Sequence, residues 1–207
     1  MATVPHATLL FKHALVQDAA YASLLRARCQ ELHARIADVL EKSFSDIVGT
    51  QPELLAHHYT QASLTAKAVE YWQRAGERAL LRSANKEAEK HFSQGIELAN
   101  LLPSSPDRSR QEYCLYLGLG SALRVVIGYS AHETMHAFAR ARELMGETGS
   151  LPEQMASLYT LLGGHWLRAH HEEAYLVARQ ALDLADKTTD IALQATANRM
   201  VALSGRV

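Results

Sequence analysis

The sequence repeats a helical pattern in which a small residue follows a large one by four positions. Its copies are Trp72-x-x-Ala75-Gly76-x-x-Ala79, Tyr116-x-x-Leu119-Gly120-x-x-Leu123, Tyr159-x-x-Leu162-Gly163-x-x-Trp166 and the weaker Leu193-x-x-Thr196-Ala197-x-x-Met200. The first three copies precede a second pattern of small and large residues: Ala88/Phe92/Gly95, Thr134/Phe138/Ala141 and Ala174/Ala178/Ala181, the last with alanine in the large slot. A small residue at a helix crossing lets two backbones approach, and an aromatic side chain fills the space beside it. The repetition therefore predicts successive pairs of packed helices.

These paired patterns resemble the tetratricopeptide repeat, whose first helix reads W-x2-L-G-x2-Y and whose second reads A-x3-F. The spacing is irregular, because Trp72 and Tyr116 stand 44 positions apart and Tyr116 and Tyr159 stand 43 apart, against the usual ~34. We therefore predict an all-α fold, an α-solenoid of irregular tetratricopeptide-like helical hairpins. The repeat register stays open around Trp72, because a further helix starting at Pro52 also fits against it.

Apolar residues three and four positions apart predict ten helices along the chain, and strand-like alternation is almost absent. The predicted bounds are 14–25, 27–44, 52–62, 64–82, 84–102, 108–127, 130–147, 152–168, 171–187 and 190–204. Four of the five prolines stand where helices are expected to begin or end: Pro52, Pro103, Pro106 and Pro152. The links are short apart from 101–110, which favours antiparallel neighbours.

Composition excludes several classes of function. The 207 residues carry a formal net charge of -1, which argues against a nucleic-acid-binding surface. Two cysteines, Cys29 and Cys114, are too few for a disulfide framework, so we expect a reducing, cytoplasmic location. No signal peptide and no membrane-spanning run are visible, so no membrane association is expected. The abrupt start and the helix in progress at the end suggest a fragment that is truncated at its C-terminus.

The stretch His132-Glu133-x-x-His136 spells the zinc-peptidase signature, two imidazoles one helical turn apart with a glutamate to activate water. A zinc-dependent metallopeptidase is therefore the alternative function that the sequence offers. The helical period, however, places Met135 and Phe138 on the buried face and both histidines on the opposite, solvent side. The third ligand of the extended signature is also missing, because alanine and arginine hold the positions of its glycine and histidine. We interpret the motif as solvated helix surface.

Other candidate chemistry is weaker still. The adjacent pairs His57-His58 and His170-His171 point about 100° apart on a helix, so we expect one histidine of each pair to be partly packed and one exposed. Gly118–Gly120 is interpreted as helix packing rather than as part of a dinucleotide loop, and no phosphate-binding loop occurs. We predict no catalytic residue, no metal and no cofactor.

Polar surface remains as the candidate site. In repeat solenoids the first helix of each pair lines a concave groove that holds an extended peptide or a partner helix. The predicted partner contacts on these helices are Gln73, Glu77, Ser121, Arg124, Thr160, Arg168, Gln194 and Asn198. Arg124 and Arg168 could clamp a carboxylate bidentately. The expected partner is a protein or peptide, with neither nucleic acid nor membrane involved.

Several segments of the first half carry a more specific resemblance. They are Phe11-Lys12-His13-Ala14-Leu15, Tyr21, Leu24-Leu25, His33, Pro52-Glu53-Leu54-Leu55-Ala56-His57-His58-Tyr59 and Ala68-Val69-Glu70-Tyr71-Trp72. This region resembles the stretch that follows the ATPase in large bacterial signalling proteins, and the resemblance continues more weakly beyond Pro103. Those proteins carry a class III adenylate/guanylate cyclase domain, a P-loop ATPase of the signal-transduction type and then tetratricopeptide repeats. Cys29 departs from the pattern, which more usually has arginine there.

The resemblance implies two parts, a helical segment over 1–48 that ends the arm of the ATPase and a repeat array over 49–207. It also implies a non-catalytic regulatory module that binds a protein or small effector and restrains or releases the attached ATPase and cyclase. The partner would then include these domains of the parent chain. Neither catalytic domain lies in these residues, so none of their functional residues can be assigned to this chain.

Overall fold

The computed structural model describes residues 26–146 and 150–204, and within these ranges it contains ten helices and no strand. The helices are α1 (Arg26–Ser43), α2 (Ser45–Thr50), α3 (Pro52–Gln61), α4 (Thr65–Leu81), α5 (Asn85–Ala99), α6 (Pro106–Val126), α7 (His132–Met145), α8 (Leu151–Leu167), α9 (His171–Ala185) and α10 (Ile191–Leu203). The predicted all-α fold is confirmed, with bounds that agree to within three residues. The predicted helix at 14–25 lies outside the described residues, and the short helix α2 was missed.

Helices α3 to α10 pack mainly against their neighbours in the chain, which makes a helical repeat solenoid. The connections are short, so consecutive helices run antiparallel. Further contacts join two pairs of helices that are separated by one helix in the chain, α4 with α6 and α8 with α10. At the start, α1 and α2 pack on α3, and the predicted domain boundary between 48 and 49 falls inside α2.

Trp72 explains why the repeat register was ambiguous. Its Nε1 donates a 3.0 Å hydrogen bond to the hydroxyl of Thr60 on α3, and its ring stacks on His91 of α5 with centroids 5.3 Å apart. The tryptophan therefore joins α4 to both of its neighbours.

Three interhelical turns share one conformation. Ser63, Ser83 and Ala169 have φ values of 58°, 59° and 57°, in the left-handed region, at the turns α3–α4, α4–α5 and α8–α9. In each turn the next residue donates its backbone N–H to a carbonyl five residues earlier, which satisfies the end of the preceding helix. The shared turn shows that the repetition extends to the backbone.

The glycines of the repeat admit aromatic rings between the helices. A Cβ atom on Gly76 would lie 2.6 Å from the ring of Phe92, and Gly118 faces the same ring from the other side. Two residues further along α6, a Cβ on Gly120 would lie 2.7 Å from the ring of Phe138. The Gly118–Gly120 pair thus lets α6 receive one aromatic ring from α5 and one from α7, so its interpretation as helix packing is confirmed.

The hairpin of α8 and α9, which carries the third copy of the pattern, departs from this scheme. Ala178 of α9 is fully buried but supplies no ring. The atoms nearest to a Cβ on Gly163 belong instead to Tyr129 of the α6–α7 link, at 3.3 Å. The neighbouring Gly164 receives the side chain of Met135 from the preceding hairpin. The sequence pattern therefore continues into α8, but its packing partner changes.

Candidate interaction surface

The predicted partner contacts all lie on α4, α6, α8 and α10 or at the end of α8, and none of them is buried. Several are bonded within their own segment. Gln73 donates to Glu77 at 2.8 Å, and the hydroxyls of Ser121 and Thr160 donate to backbone carbonyls four residues earlier. The amide of Gln194 donates to a carbonyl of the α9–α10 link. The structure brings no set of these residues into one cavity, and their role as partner contacts stays a prediction.

An uncharged cavity of about 450 Å³ lies beside α8. It is lined by Tyr129, Tyr159, Leu162, Gly163, Trp166, Leu167 and Leu203, and we call it the Trp166 groove. Trp166 is 50% exposed and Leu167 is 57% exposed. Large apolar side chains that line a concave surface at this exposure are typical of a binding site.

The sequence pattern predicts that Tyr159 and Trp166 are packed between helices. The structure leaves both partly uncovered, since Tyr159 is 42% exposed and Trp166 is 50% exposed. Their helix continues the repeat, but the second helix of their hairpin, α9, has alanine in the slot that holds phenylalanine in the two preceding hairpins. The signal that could have indicated the groove is Ala178, the alanine in a slot that holds phenylalanine in the two preceding copies.

Tyr129 forms one wall of the groove and is held in place by the α6–α7 link. Its hydroxyl donates to the carbonyl of Thr160, and burial raises the pKa of this phenol above its ordinary value. Gly128 precedes it with φ 99°, a conformation that favours glycine. The Gly128 carbonyl accepts a 2.9 Å hydrogen bond from the hydroxyl of Thr134. These bonds therefore hold Tyr129 beside the groove and leave its ring only small displacements.

Cationic side chains flank this uncharged lining. Arg124 is exposed and lies near enough to Tyr129 to favour the charged phenolate, an effect that opposes the larger one of burial. Arg168 caps the end of α8, directly after Leu167. Three of the predicted partner contacts therefore adjoin the groove without lining it: Arg124, Thr160, whose carbonyl accepts from Tyr129, and Arg168.

The zinc-peptidase motif lies on the outer face of α7, as predicted. His132 and His136 are exposed and their rings stand 6.3 Å apart, whereas Met135 and Phe138 are buried. Glu143, on the same side, pairs with an arginine of its own helix. Within 26–146 and 150–204 no group of three or more histidine, cysteine, aspartate or glutamate side chains could hold a metal ion.

A cluster of three histidines joins α1 to α3. The Nδ1 atoms of His33 and His58 are 2.7 Å apart, and the His57 ring lies 6.0 Å from that of His33. His57 is exposed and His58 is partly buried, so the expected division of this pair is confirmed. It is wrong for His170 and His171, which are both exposed because they lie at the start of α9.

A second polar cluster joins α1 to α3 and α4 around the carboxylate of Glu41. It accepts hydrogen bonds from the hydroxyls of Tyr59 at 2.5 Å and Tyr71 at 2.8 Å, and from the ammonium of Lys67 at 2.7 Å. The bond from Lys67, followed by that from Tyr59, lowers the pKa of Glu41 to about 2. Burial, with the bond to Glu41, raises the pKa of Tyr71 to about 12. No sequence pattern predicts this network, because its members come from three helices.

Comparison with known proteins gives a relative that matches most of this chain. No family model matches the chain, and no solved structure shows a significant match. The chain is 26% identical over 182 residues to an uncharacterized protein of Rhizobium meliloti (strain 1021). The match covers 86% of this chain and 17% of the relative, so the chain spans about a sixth of the length of that protein. None of the described helices is long and apolar enough to cross a membrane.

Proposed function

We propose that this chain is a non-catalytic protein-interaction and regulatory module of a larger cytoplasmic signalling protein, built from tetratricopeptide-like hairpins. The observation that carries the proposal is the uncharged Trp166 groove on a helical repeat array. Arrays of this kind act by presenting an extended surface to a partner. The relative supports a place within a longer chain, because the segment that matches is 17% of its length.

The chemistry of the groove indicates the partner segment. Its volume of about 450 Å³ suits one or two large apolar side chains, which would pack against Tyr159 and Trp166. Arg124 and Arg168 would pair with a carboxylate beside those anchors. We therefore propose a peptide segment or helix that carries an aromatic or aliphatic anchor and a nearby acidic residue.

The resemblance to signalling proteins with a cyclase, an ATPase and repeats indicates which protein the array would bind. The partner would be the ATPase of the parent chain, and the array would restrain or release it. In such an arrangement α1, which precedes the array, would lead towards the ATPase. The proposal is a module with no reaction of its own, whose effect is read in the activity of its partner.

The test begins with the coding sequence upstream of Met1. An in-frame P-loop ATPase would be expressed separately, and its binding to this chain measured by calorimetry. We expect binding that Trp166→Ala weakens at least 10-fold, because an anchor of this type contributes about 2 kcal/mol or more. Leu81→Ala is the matched control, since Leu81 is 88% exposed and lies outside the groove.

Two outcomes would contradict the proposal. An upstream stop codon with no ATPase would remove the signalling partner. Equal binding by the wild type and by Trp166→Ala would remove the groove as the site. A useful second readout is the fluorescence of Trp166, which is half exposed and should shift to shorter wavelength when an apolar anchor covers it, whereas Trp72 is already buried.

A further inference from the structure

The face that α1 turns towards the array is unusually polar. His33, Ala37 and Glu41 follow one another at four-residue spacing and form its inward stripe. Ala37 is fully buried and His33 is 9% exposed, whereas the larger apolar residues Ile36 and Val39 are 42% and 52% exposed. Ala37 and the partly buried Leu40 pack on the apolar core, so attachment of α1 combines this apolar contact with the polar contacts of His33 and Glu41.

The histidine contact at one end of this stripe depends on protons. A neutral imidazole carries one N–H, so one Nδ1 can donate across the 2.7 Å gap and the other can accept. One added proton can be accommodated on the outer nitrogen of the donor ring. A second proton places hydrogen on both Nδ1 atoms, which removes the bond and sets two cations against each other with His57 beside them.

We propose that His33 and His58 form a proton-sensitive clasp that holds α1 on α3 at neutral pH and releases it at mildly acidic pH. We expect the array from α3 to α10 to stay folded through this change, because its helix contacts are made mainly by glycines and buried apolar side chains. His91 and His165 are partly buried histidines of the array whose pKa values burial lowers. This inference does not depend on the proposed function, since it concerns the attachment of α1 and not the Trp166 groove.

The charges around the clasp support release by acid. Burial, then the nearby His33 and His57, lowers the pKa of His58 to about 4, and burial followed by His57 lowers that of His33. A histidine with a lowered pKa in the docked state stabilises docking above its ordinary pKa of 6.5, and this contribution is lost as the pH falls from 6.5 towards 4.

The other charged groups on the packed elements act over a different pH range. Glu41, with Lys67 of α4 as its partner, lies two turns along α1, roughly 12 Å from His33 at ~1.5 Å per residue. Its carboxylate stays ionised until the pH approaches its pKa of about 2. The other acidic residues of these helices are all at least partly exposed: Glu31 and Asp38 of α1, Asp46 of α2, Glu53 of α3, and Glu70 and Glu77 of α4. A measurement between pH 7.5 and 5.0 therefore isolates the histidines.

The experiment is hydrogen exchange of the full 207-residue chain, followed by mass spectrometry and corrected for intrinsic rates. Peptides from α1 report release, and peptides from α6, which contains no histidine, are the internal reference. We expect opening of α1, relative to α6, to increase on the order of 10-fold between pH 7.5 and 5.0. His58→Asn keeps a side-chain amide near the Nδ1 position without a titratable ring, so the increase should largely disappear.

The matched control is His132→Asn, which removes an exposed histidine of α7 and should behave like the wild type. The clasp is overturned if α1 of the wild type exchanges equally at both pH values. Simultaneous opening of α1 and α6 also overturns it, because that result means unfolding of the array. An undiminished increase in His58→Asn assigns the release to another group and sinks the idea as well.

Discussion

The centre of the array and the attachment of α1 are both contacts between helices, yet they use opposite chemistry. Between α4 and α7, glycines admit the rings of Phe92 and Phe138, and both rings are buried. Between α1 and the helices α3 and α4, the polar contacts are made by a histidine pair and by a carboxylate with two phenols and an ammonium. The rings of Phe92 and Phe138 carry no titratable group and are intolerant of volume changes, whereas the polar junction has the reverse properties.

The comparison teaches that one solenoid can combine a rigid centre with an adjustable end. Overpacking or cavities at the centre are costly because a buried ring has no room to move. A polar junction tolerates exposure of its members but depends on their protonation. Variants that damage the centre should therefore destabilise the whole array, and variants at the junction should act on α1 alone.

The largest effect is expected for Phe92→Ala. Phe92 is 1% exposed and its ring fills the space between Gly76 and Gly118. Removal of the ring leaves a cavity, so the free energy of unfolding should fall by about 3–5 kcal/mol. Urea denaturation followed by circular dichroism measures the loss. Leu101→Ala is the control, because Leu101 is 74% exposed and should change stability by less than about 0.5 kcal/mol.

A smaller effect is expected for Gly120→Ala. The added Cβ would lie 2.7 Å from the buried ring of Phe138. Overpacking of this kind costs about 1–3 kcal/mol, and the better helix propensity of alanine returns up to about 1 kcal/mol. The free energy of unfolding should therefore fall by about 1–2 kcal/mol. A companion Phe138→Leu change should reduce the cost of the alanine, and simple additivity of the two would contradict the proposed contact.

Glu41→Gln tests the other side of the comparison. The variant keeps the shape of the side chain but loses its charge, so docking of α1 should weaken by about 1 kcal/mol. The low pKa of Glu41 means that its contribution is present above the ordinary pKa of 4.5 and is lost as the pH falls towards 2. In the His58→Asn background, where the clasp does not titrate, the effect of Glu41→Gln on hydrogen exchange of α1 should thus be full at pH 7.5 and shrink by pH 3.

The control for this change lies on the same helix. Asp38 pairs with Lys42 at 2.7 Å, but both side chains are more than half exposed. Asp38→Asn should therefore change docking by no more than about 0.5 kcal/mol. An effect of Glu41→Gln on α5 as large as its effect on α1 would show that the junction and the centre unfold together.

Much of the centre was predictable from the sequence, because its determinants are local and periodic. The spacing of Trp72, Gly76 and Phe92 predicts two helices and the residues at which they meet. The period of α7 likewise places Met135 and Phe138 inside and His132 outside, as observed. In such cases one helix face determines what each residue contacts.

The junction and the groove were not predictable in the same way. Glu41 meets Tyr59 and Tyr71 through three helices, and no spacing along one segment indicates that encounter. The groove lies where alanine replaces the phenylalanine of the repeat slot at position 178, and one of its walls is Tyr129, which comes from a link rather than a helix. The polar partner contacts stay predictions, since exposure alone does not identify a binding residue.

The smallest expected effect is that of Gly163→Ala, at the position that corresponds to Gly120 in the repeat. Here a Cβ would lie 3.3 Å from the ring of Tyr129, which borders an open groove and can yield by a few tenths of an ångström. The helix propensity gained, up to about 1 kcal/mol, should offset this contact and leave stability within about 0.5 kcal/mol of the wild type. Urea denaturation beside Gly120→Ala makes the comparison. A loss at Gly163 as large as that at Gly120 would mean that Tyr129 packs as firmly as Phe138, and the groove would then have no adaptable wall.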